Sequence, residues 1–231
     1  MALVNLRRDG DVFVVEMCDG ENRFRPEFLA ELEAAIDEAE SSSGAAALVT
    51  TGQGKFYTNG LDLDWVIAAG DEGRTFVADM LRVFARVLSS PLPTAAAING
   101  HAFAGGAMFA LAHDYRVMRS DRGYFCLPEA DLGVPLVDGM TALIREKIGS
   151  GPVLRDAVLA GERFASVEAV AASFVDVEAP EDGVLDAAIA LVAPLAGKDR
   201  STRQALKRGL YAATLAVLED PVASVATPRL G

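Results

Sequence analysis

Two glycine-bearing stretches and one carboxylate carry most of the chemistry open to this chain. Ala104-Gly105-Gly106 stands at the start of a helix rich in small residues, running on through Ala107-Met108-Phe109-Ala110-Leu111-Ala112 to His113-Asp114. The first N–H groups of a helix have no intrahelical partner, and that end carries partial positive charge, so it suits an oxyanion. Paired glycines serve close backbone packing equally well, and alone the motif supports both readings. The other stretch is Thr51-Gly52-Gln53-Gly54-Lys55-Phe56-Tyr57-Thr58-Asn59-Gly60-Leu61-Asp62-Leu63. It is not a phosphate-cradling P-loop, because the four-residue gap between glycines and the Ser/Thr after the lysine are both missing. Downstream lies Pro128-Glu129, which by itself reads as a turn with a surface or helix-capping carboxylate.

Other reactive groups are sparse. His101 and His113 are too far apart for a zinc-binding helix pair, and neither has an identifiable Ser or Cys partner, so both read as packing residues. Cys18 and Cys126 have no metal spacing and fit reduced thiols in a cytoplasmic setting. Cations gather in two places. Lys198, Arg200, Arg203, Lys207 and Arg208 face the single acid Asp199, while Arg23, Arg25 and Lys55 form a looser group. Each is either a site for a small anionic ligand or an ordinary solvated face.

The elements that must position these groups follow from periodicity. Val4–Leu6 and Val12–Met17 flank an Asp9-Gly10 turn and read as a hairpin. Pro26 opens a helix in which Phe28, Leu29, Leu32, Ala35, Ile36 and Ala39 recur at helical spacing. Residues 45–50, 94–98, 115–118, 123–126 and 174–177 read as strands. Helices are predicted over 71–88 and 140–148, with short ones ending near 160 and spanning 166–172, and two amphipathic helices between 181 and 218. Residues 51–63 read as a loop turning into a short helix, capped by Asp62, and residues 132–139 read as a loop. Strands alternating with helices argue for right-handed crossovers and a mostly parallel sheet.

The bulk properties set limits. The chain has 231 residues, 51% of them hydrophobic, enough for one large domain with a sizeable core. No apolar run reaches the roughly 18 residues of a membrane helix. The N-terminal stretch lacks the apolar core of a signal peptide, and Pro228-Arg229-Leu230-Gly231 matches no peroxisomal or retention signal. A net charge of −12 argues against general nucleic-acid binding.

Taken together, Phe56–Leu63, the run from Pro93 through Gly105-Gly106 to Arg116, and Phe125-Cys126-Leu127-Pro128-Glu129-Ala130-Asp131-Leu132-Gly133 resemble the crotonase superfamily, the enoyl-CoA hydratase/isomerase family. The likeness covers nearly the whole chain. It implies an α/β fold: a spiral of ββα units over residues 1–149 and a C-terminal helical region over 150–231. It also implies an acyl-CoA ligand with no further cofactor, and a homotrimer or dimer of trimers. Carried onto this chain, the family's oxyanion hole falls on the backbone N–H groups of Leu61 and Gly105. Two fixed donors in a dry site would stabilise a thioester enolate by several kcal/mol. Asn59, Gly60 and Gly106 flank those donors as expected substrate contacts. Arg23, Arg25 and Lys207 are candidates for the CoA phosphates, and Trp65 and Phe103 for an acyl pocket or simply for the core.

The resemblance also separates reactions. Family hydratases hold water with two glutamates. One of those positions is Met108 here, which cannot exchange a proton, and the other is present as Glu129. A single carboxylate can move a proton from C2 to C4 of a 3-enoyl thioester without water, so Glu129 is the expected acid/base of a Δ3→Δ2 isomerase. Phe125–Gly133 looks closest to that branch. Asp138 is the rival, placed where other members hold a catalytic side chain for hydrolysis or halide displacement; it would serve an enoyl-CoA hydratase or an acyl-CoA thioester hydrolase, and is otherwise a structural or polar pocket residue. An acyl-CoA-binding subunit with little catalysis is the third reading.

Overall fold

The computed structural model describes residues 2–220, 222, 223 and 225; the C-terminal tetrapeptide lies outside them. Two sheets grow side by side as the chain spirals. The hairpin β1 (Val4–Asp9) and β2 (Val12–Met17) pairs antiparallel, with Val4 opposite Met17. Next to β2 come β3 (Ala47–Gly52), β5 (Thr94–Ile98), β7 (Tyr115–Arg119) and β10 (Val177–Ala179), all parallel. The smaller sheet orders β4 (Phe56–Thr58), β6 (His101–Phe103), β8 (Phe125–Cys126) and β9 (Arg163–Phe164), the last antiparallel.

Each turn of the spiral lays one strand in the large sheet, one in the small sheet, and then a helix. After α1 (Pro26–Ser41), β3 and β4 lead to α2 (Leu63–Ala69) and α3 (Asp71–Leu88). β5 and β6 lead to α4 (Gly105–Ala112). β7 and β8 lead to α5 (Glu129–Leu132) and α6 (Asp138–Ile148). The expected ββα spiral is therefore the observed one. Both faces of the large sheet are covered, as parallel strands require. In β5, Ala96 and Ile98 face the main core with α1, α3 and α4, whereas Ala95 and Ala97 face a second layer closed by α9 (Val184–Val192).

Several expectations shift. β4 replaces part of a stretch read as loop, and β6 lies in the approach to α4, to which no strand was assigned; at three residues each they are too short to show a period. The strand predicted over 174–177 is β10 at Val177–Ala179, while Phe174 and Val175 are buried in the main core. The predicted pair of helices after 181 is α9, a 3-10 turn at Ala193–Leu195, α10 (Arg200–Leu210) and α11 (Ala212–Leu218). α7 (Pro152–Val158) and α8 (Ser166–Ala171) precede these, β9 and β10 from the same stretch complete the two sheets, and α11 packs on α6 and α3. No helix among the described residues is long and apolar enough to cross a membrane.

Candidate active site

The second half of each ββα turn delivers a group to one cavity of about 450 Å³, lined by Arg23, Asn59, Leu61, Phe103, Gly105, Cys126, Glu129, Arg163 and a wall of aliphatic side chains. Leu61 arrives just after β4. Its segment is pinned to the loop before α1 by Phe24 N–H to the Gly60 carbonyl (2.8 Å), Asp62 N–H to the Phe24 carbonyl (3.0 Å) and Asn59 N–H to the Glu21 carbonyl (2.9 Å). Asn22 holds that loop from below. Fully buried and with φ of 53°, it donates to the Phe56 and Tyr57 carbonyls, accepts from Asp19 N–H, and takes the Thr58 hydroxyl on its own carbonyl.

Gly105 arrives after β6, as the first residue of α4. The two amides adjoin: a β-carbon added to Gly105 would lie 3.6 Å from the Leu61 nitrogen. Among the described residues, neither N–H donates to a backbone carbonyl. Gly60, with φ of 77°, makes the approach possible, since a β-carbon there would sit 2.8 Å from the Gly105 nitrogen. Ala104, immediately before, has φ of 51° and ψ of −123°, a strained geometry for a residue with a side chain. Its N–H is tied to the Cys126 carbonyl at 3.0 Å and its carbonyl to Met108 N–H at 3.1 Å, so both neighbours hold the strain in place.

Glu129 opens α5, one turn after β8. The residue is 9% exposed, and its Oε2 is buried with no hydrogen-bond partner among the described residues. Burial pushes its carboxyl up to about 7, where it exchanges a proton readily at neutral pH. Met108, one turn into α4, is wholly buried in the core and brings no second carboxylate to the cavity.

The other expected residues divide. Arg23 and Asn59 line the cavity and are tied together through Glu21, which accepts from both and is held below the usual carboxylate range by them. Arg25 instead pairs with Asp19. Gly60 and Gly106 serve packing rather than ligand contact; a β-carbon on Gly106 would overlap the Thr58 carbonyl. Asp138 is exposed as the first residue of α6, while its neighbour Val137 lines the cavity. Lys207 is not free for a phosphate. It is buried, with Nζ 2.9 Å from Asp114 Oδ2 and 3.1 Å from the Leu92 carbonyl.

Asp62 caps α2 by accepting from Trp65 N–H, as expected. Trp65 packs edge-on against Phe76 away from the cavity, whereas Phe103 lines it. His113 is buried, bonded to Thr50 and the Phe109 carbonyl, and burial holds it neutral, down to about 3. Arg163 is the charged lining residue that sequence reasoning missed. It projects from β9 over the Phe103 ring, and a two-residue strand leaves no period to find it by.

A spiral of this topology, two converging amides and an unpartnered buried carboxylate coincide with one sequence profile, that of enoyl-CoA hydratase/isomerase, which matches residues 7–224. The chain belongs to the enoyl-CoA hydratase/isomerase family. Among family members, it is 36% identical to enoyl-CoA delta isomerase 3 of Arabidopsis thaliana, over 99% of this chain and 100% of that protein. It is 37% identical to the peroxisomal enoyl-CoA delta isomerase 2 of the same plant, with the same coverage. The fold superposes on human mitochondrial delta3-delta2-enoyl-CoA isomerase with a TM-score of 0.83 at 25% identity, over 93% of this chain and 85% of that chain.

Proposed function

We propose that this protein is a Δ3→Δ2 enoyl-CoA isomerase in which Glu129 is the sole acid/base. The observation that carries the reading is the Glu129 Oε2, buried and without a partner among the described residues, on the cavity that Leu61 and Gly105 also line. A buried carboxylate oxygen without a partner is costly to a folded protein and marks a place where a ligand supplies the missing contact.

The chemistry follows from that arrangement. The ionised Glu129 takes a proton from C2 of a 3-enoyl thioester. The electron pair moves into the conjugated system, and negative charge develops on the thioester oxygen, which the Leu61 and Gly105 N–H groups receive. The positive end of α4 points at the same oxygen. Glu129 then returns its proton at C4, and the double bond lies between C2 and C3. Water is not consumed, so the apolar Met108 is no defect. Arg23, a cavity cation beside the Leu61 segment, would meet the CoA moiety.

Turnover of 3-trans-enoyl-CoA to 2-trans-enoyl-CoA, with no hydration of crotonyl-CoA and no release of free CoA, is the expected result. Hydration or thioester hydrolysis as the main activity would overturn the reading, as would tight acyl-CoA binding without turnover. The pH profile sharpens it. Proton abstraction needs the carboxylate, so kcat/KM should rise about tenfold per pH unit up to about pH 7 and then level off. A cytoplasmic location and a trimeric assembly belong to the same reading. The unpaired thiols of Cys18 and Cys126 fit a reducing compartment, and cell fractionation and light scattering measure the two.

A further inference from the structure

Phe103, Cys126 and Arg163 stand on one rung of the small sheet. Cys126 in β8 is the register partner of Phe103 in β6 and of Arg163 in β9. Residues in register on adjacent strands project from the same face, and all three line the active cavity. Arg163 is exposed, and its Cζ lies 5.9 Å from the centre of the Phe103 ring. Neighbouring strands are about 4.8 Å apart, so a side chain rooted in β9 reaches a ring on β6 only by crossing β8. The carbon stem of Arg163 therefore passes over Cys126, which is 1% exposed. Beneath it the thiol donates to the Gly161 carbonyl at 3.4 Å, and burial pushes it up to about 11, so it is protonated at neutral pH. The same cavity holds the Glu129 Oε2, buried and without a partner among the described residues, which marks it as the place of the ligand.

A thiol in that place matters because of the product. A 3-enoyl thioester has an isolated double bond, whereas the 2-enoyl product is conjugated with its carbonyl and takes nucleophiles at C3. Addition of a thiol there forms an Sγ–C3 bond, moves the C2=C3 electron pair toward the thioester oxygen, and ends with the thiol proton on C2. The enolate on the way is stabilised by the same two amides that serve isomerisation. We propose that Arg163 is a guard: its stem, laid across Cys126, keeps that thiol from being alkylated by the enzyme's own electrophilic product. Cys126 is then the alkylation site of the unguarded enzyme, toward α,β-unsaturated thioesters. The inference rests on the isomerase reading, and its test keeps the two apart.

The experiment incubates wild type, Arg163→Ala, Arg163→Met and the double variant Arg163→Ala with Cys126→Ala in 2-trans-hexenoyl-CoA, and separately in N-ethylmaleimide. Intact-protein and peptide mass spectrometry follow the adducts. Arg163→Ala, at an exposed position, should acquire one hexenoyl-CoA adduct, on Cys126 rather than Cys18, roughly tenfold faster than wild type or more, and lose activity in step. Arg163→Met, which keeps a stem without the charge, should be labelled no faster than wild type. The double variant should take no such adduct and hold its own starting activity. Maleimide reads the cover alone, because it needs no oxyanion hole, while wild-type turnover of 3-trans-hexenoyl-CoA reads the isomerase activity. Equal maleimide labelling of Cys126 in wild type and Arg163→Ala would overturn the proposal, whatever the turnover. So would Arg163→Met labelled as fast as Arg163→Ala, or maleimide labelling of Arg163→Ala without a hexenoyl-CoA adduct.

Discussion

At its N-terminal end α4 brings Gly105 to an open cavity that also holds the Glu129 carboxylate, whose Oε2 has no partner among the described residues. At its C-terminal end, about 12 Å away along the helix, the polar groups are closed off. The His113 carbonyl accepts from Arg116 at 2.8 Å and from Lys147 at 3.0 Å, placing two basic side chains on the negative end of the helix dipole, with burial pushing Lys147 down to about 7. Asp114, the next residue, accepts from Thr94 N–H and pairs with Lys207. Arg116 in turn reaches the Phe174 carbonyl and Asp176. Both ends hold buried charge. The difference is that the C-terminal charges are answered by the protein, while the Glu129 Oε2 near the N-terminal end has no partner among the described residues. Stability is built at one end and spent at the other.

The largest effect that tests this contrast is at Glu129. Glu129→Gln keeps the shape and removes the proton exchange, so kcat should fall about a thousandfold or more, read by single-turnover kinetics. The same variant should be more stable than wild type, but only at high pH. A carboxyl raised from 4.5 to about 7 by folding penalises the folded state as pH rises through that window. At pH 8 the penalty is complete, up to about 3 kcal/mol, and at pH 4 it is absent. Thermal melts at the two pH values should therefore show the gain at pH 8 alone. A loss of stability at pH 8 would mean that the carboxylate has a structural partner after all.

Next in size is Lys207→Met. Removing one member of a buried pair leaves Asp114 underpaired and should cost about 3 kcal/mol, or roughly ten degrees of melting temperature in a chain of this length. Because Lys207 sits at the closed end, KM for the acyl-CoA substrate should hold within twofold at a temperature where the variant is folded. A rise in KM with little change in melting would restore Lys207 to the CoA site and erase the distinction between the ends.

That contrast also shows what could be read from the residues alone. The Asp9-Gly10 turn placed the hairpin, short runs buried on both faces placed the three long parallel strands of the spiral, and helical spacing placed α1. The glycine stretches and Pro128-Glu129 were visible as short-range features, and the family resemblance gave them an order. Charge was the weak signal. Lys207 and Arg25 read as phosphate ligands because a sequence shows a cation but not its acid; Asp114 reaches Lys207 only across the fold, and Asp19 reaches Arg25 across a turn. Gly106 read as a ligand contact because the Thr58 carbonyl it must pass belongs to another strand. Arg163 went unseen for the converse reason: its neighbour Phe103 comes from β6. Tertiary pairing, rather than residue type, decides which charges remain for function.

The smallest effect concerns Ala104, the hinge between β6 and the open end of α4. An alanine held at φ of 51° and ψ of −123° costs on the order of 1 kcal/mol, and glycine adopts that geometry without strain. Ala104→Gly should relieve the strain while freeing more conformations in the unfolded chain, so the two effects offset and the melting temperature should move by no more than about two degrees. The rate is the more informative quantity. If the hydrogen bonds to Cys126 and Met108 fix the Gly105 N–H by themselves, kcat should stay within threefold of wild type. If the alanine is needed to hold that amide toward the thioester oxygen, kcat should fall by ten to a hundredfold, approaching the loss of one oxyanion donor. The two bonds flank the residue on both sides and leave its peptide planes little freedom, so the smaller change is the expected one.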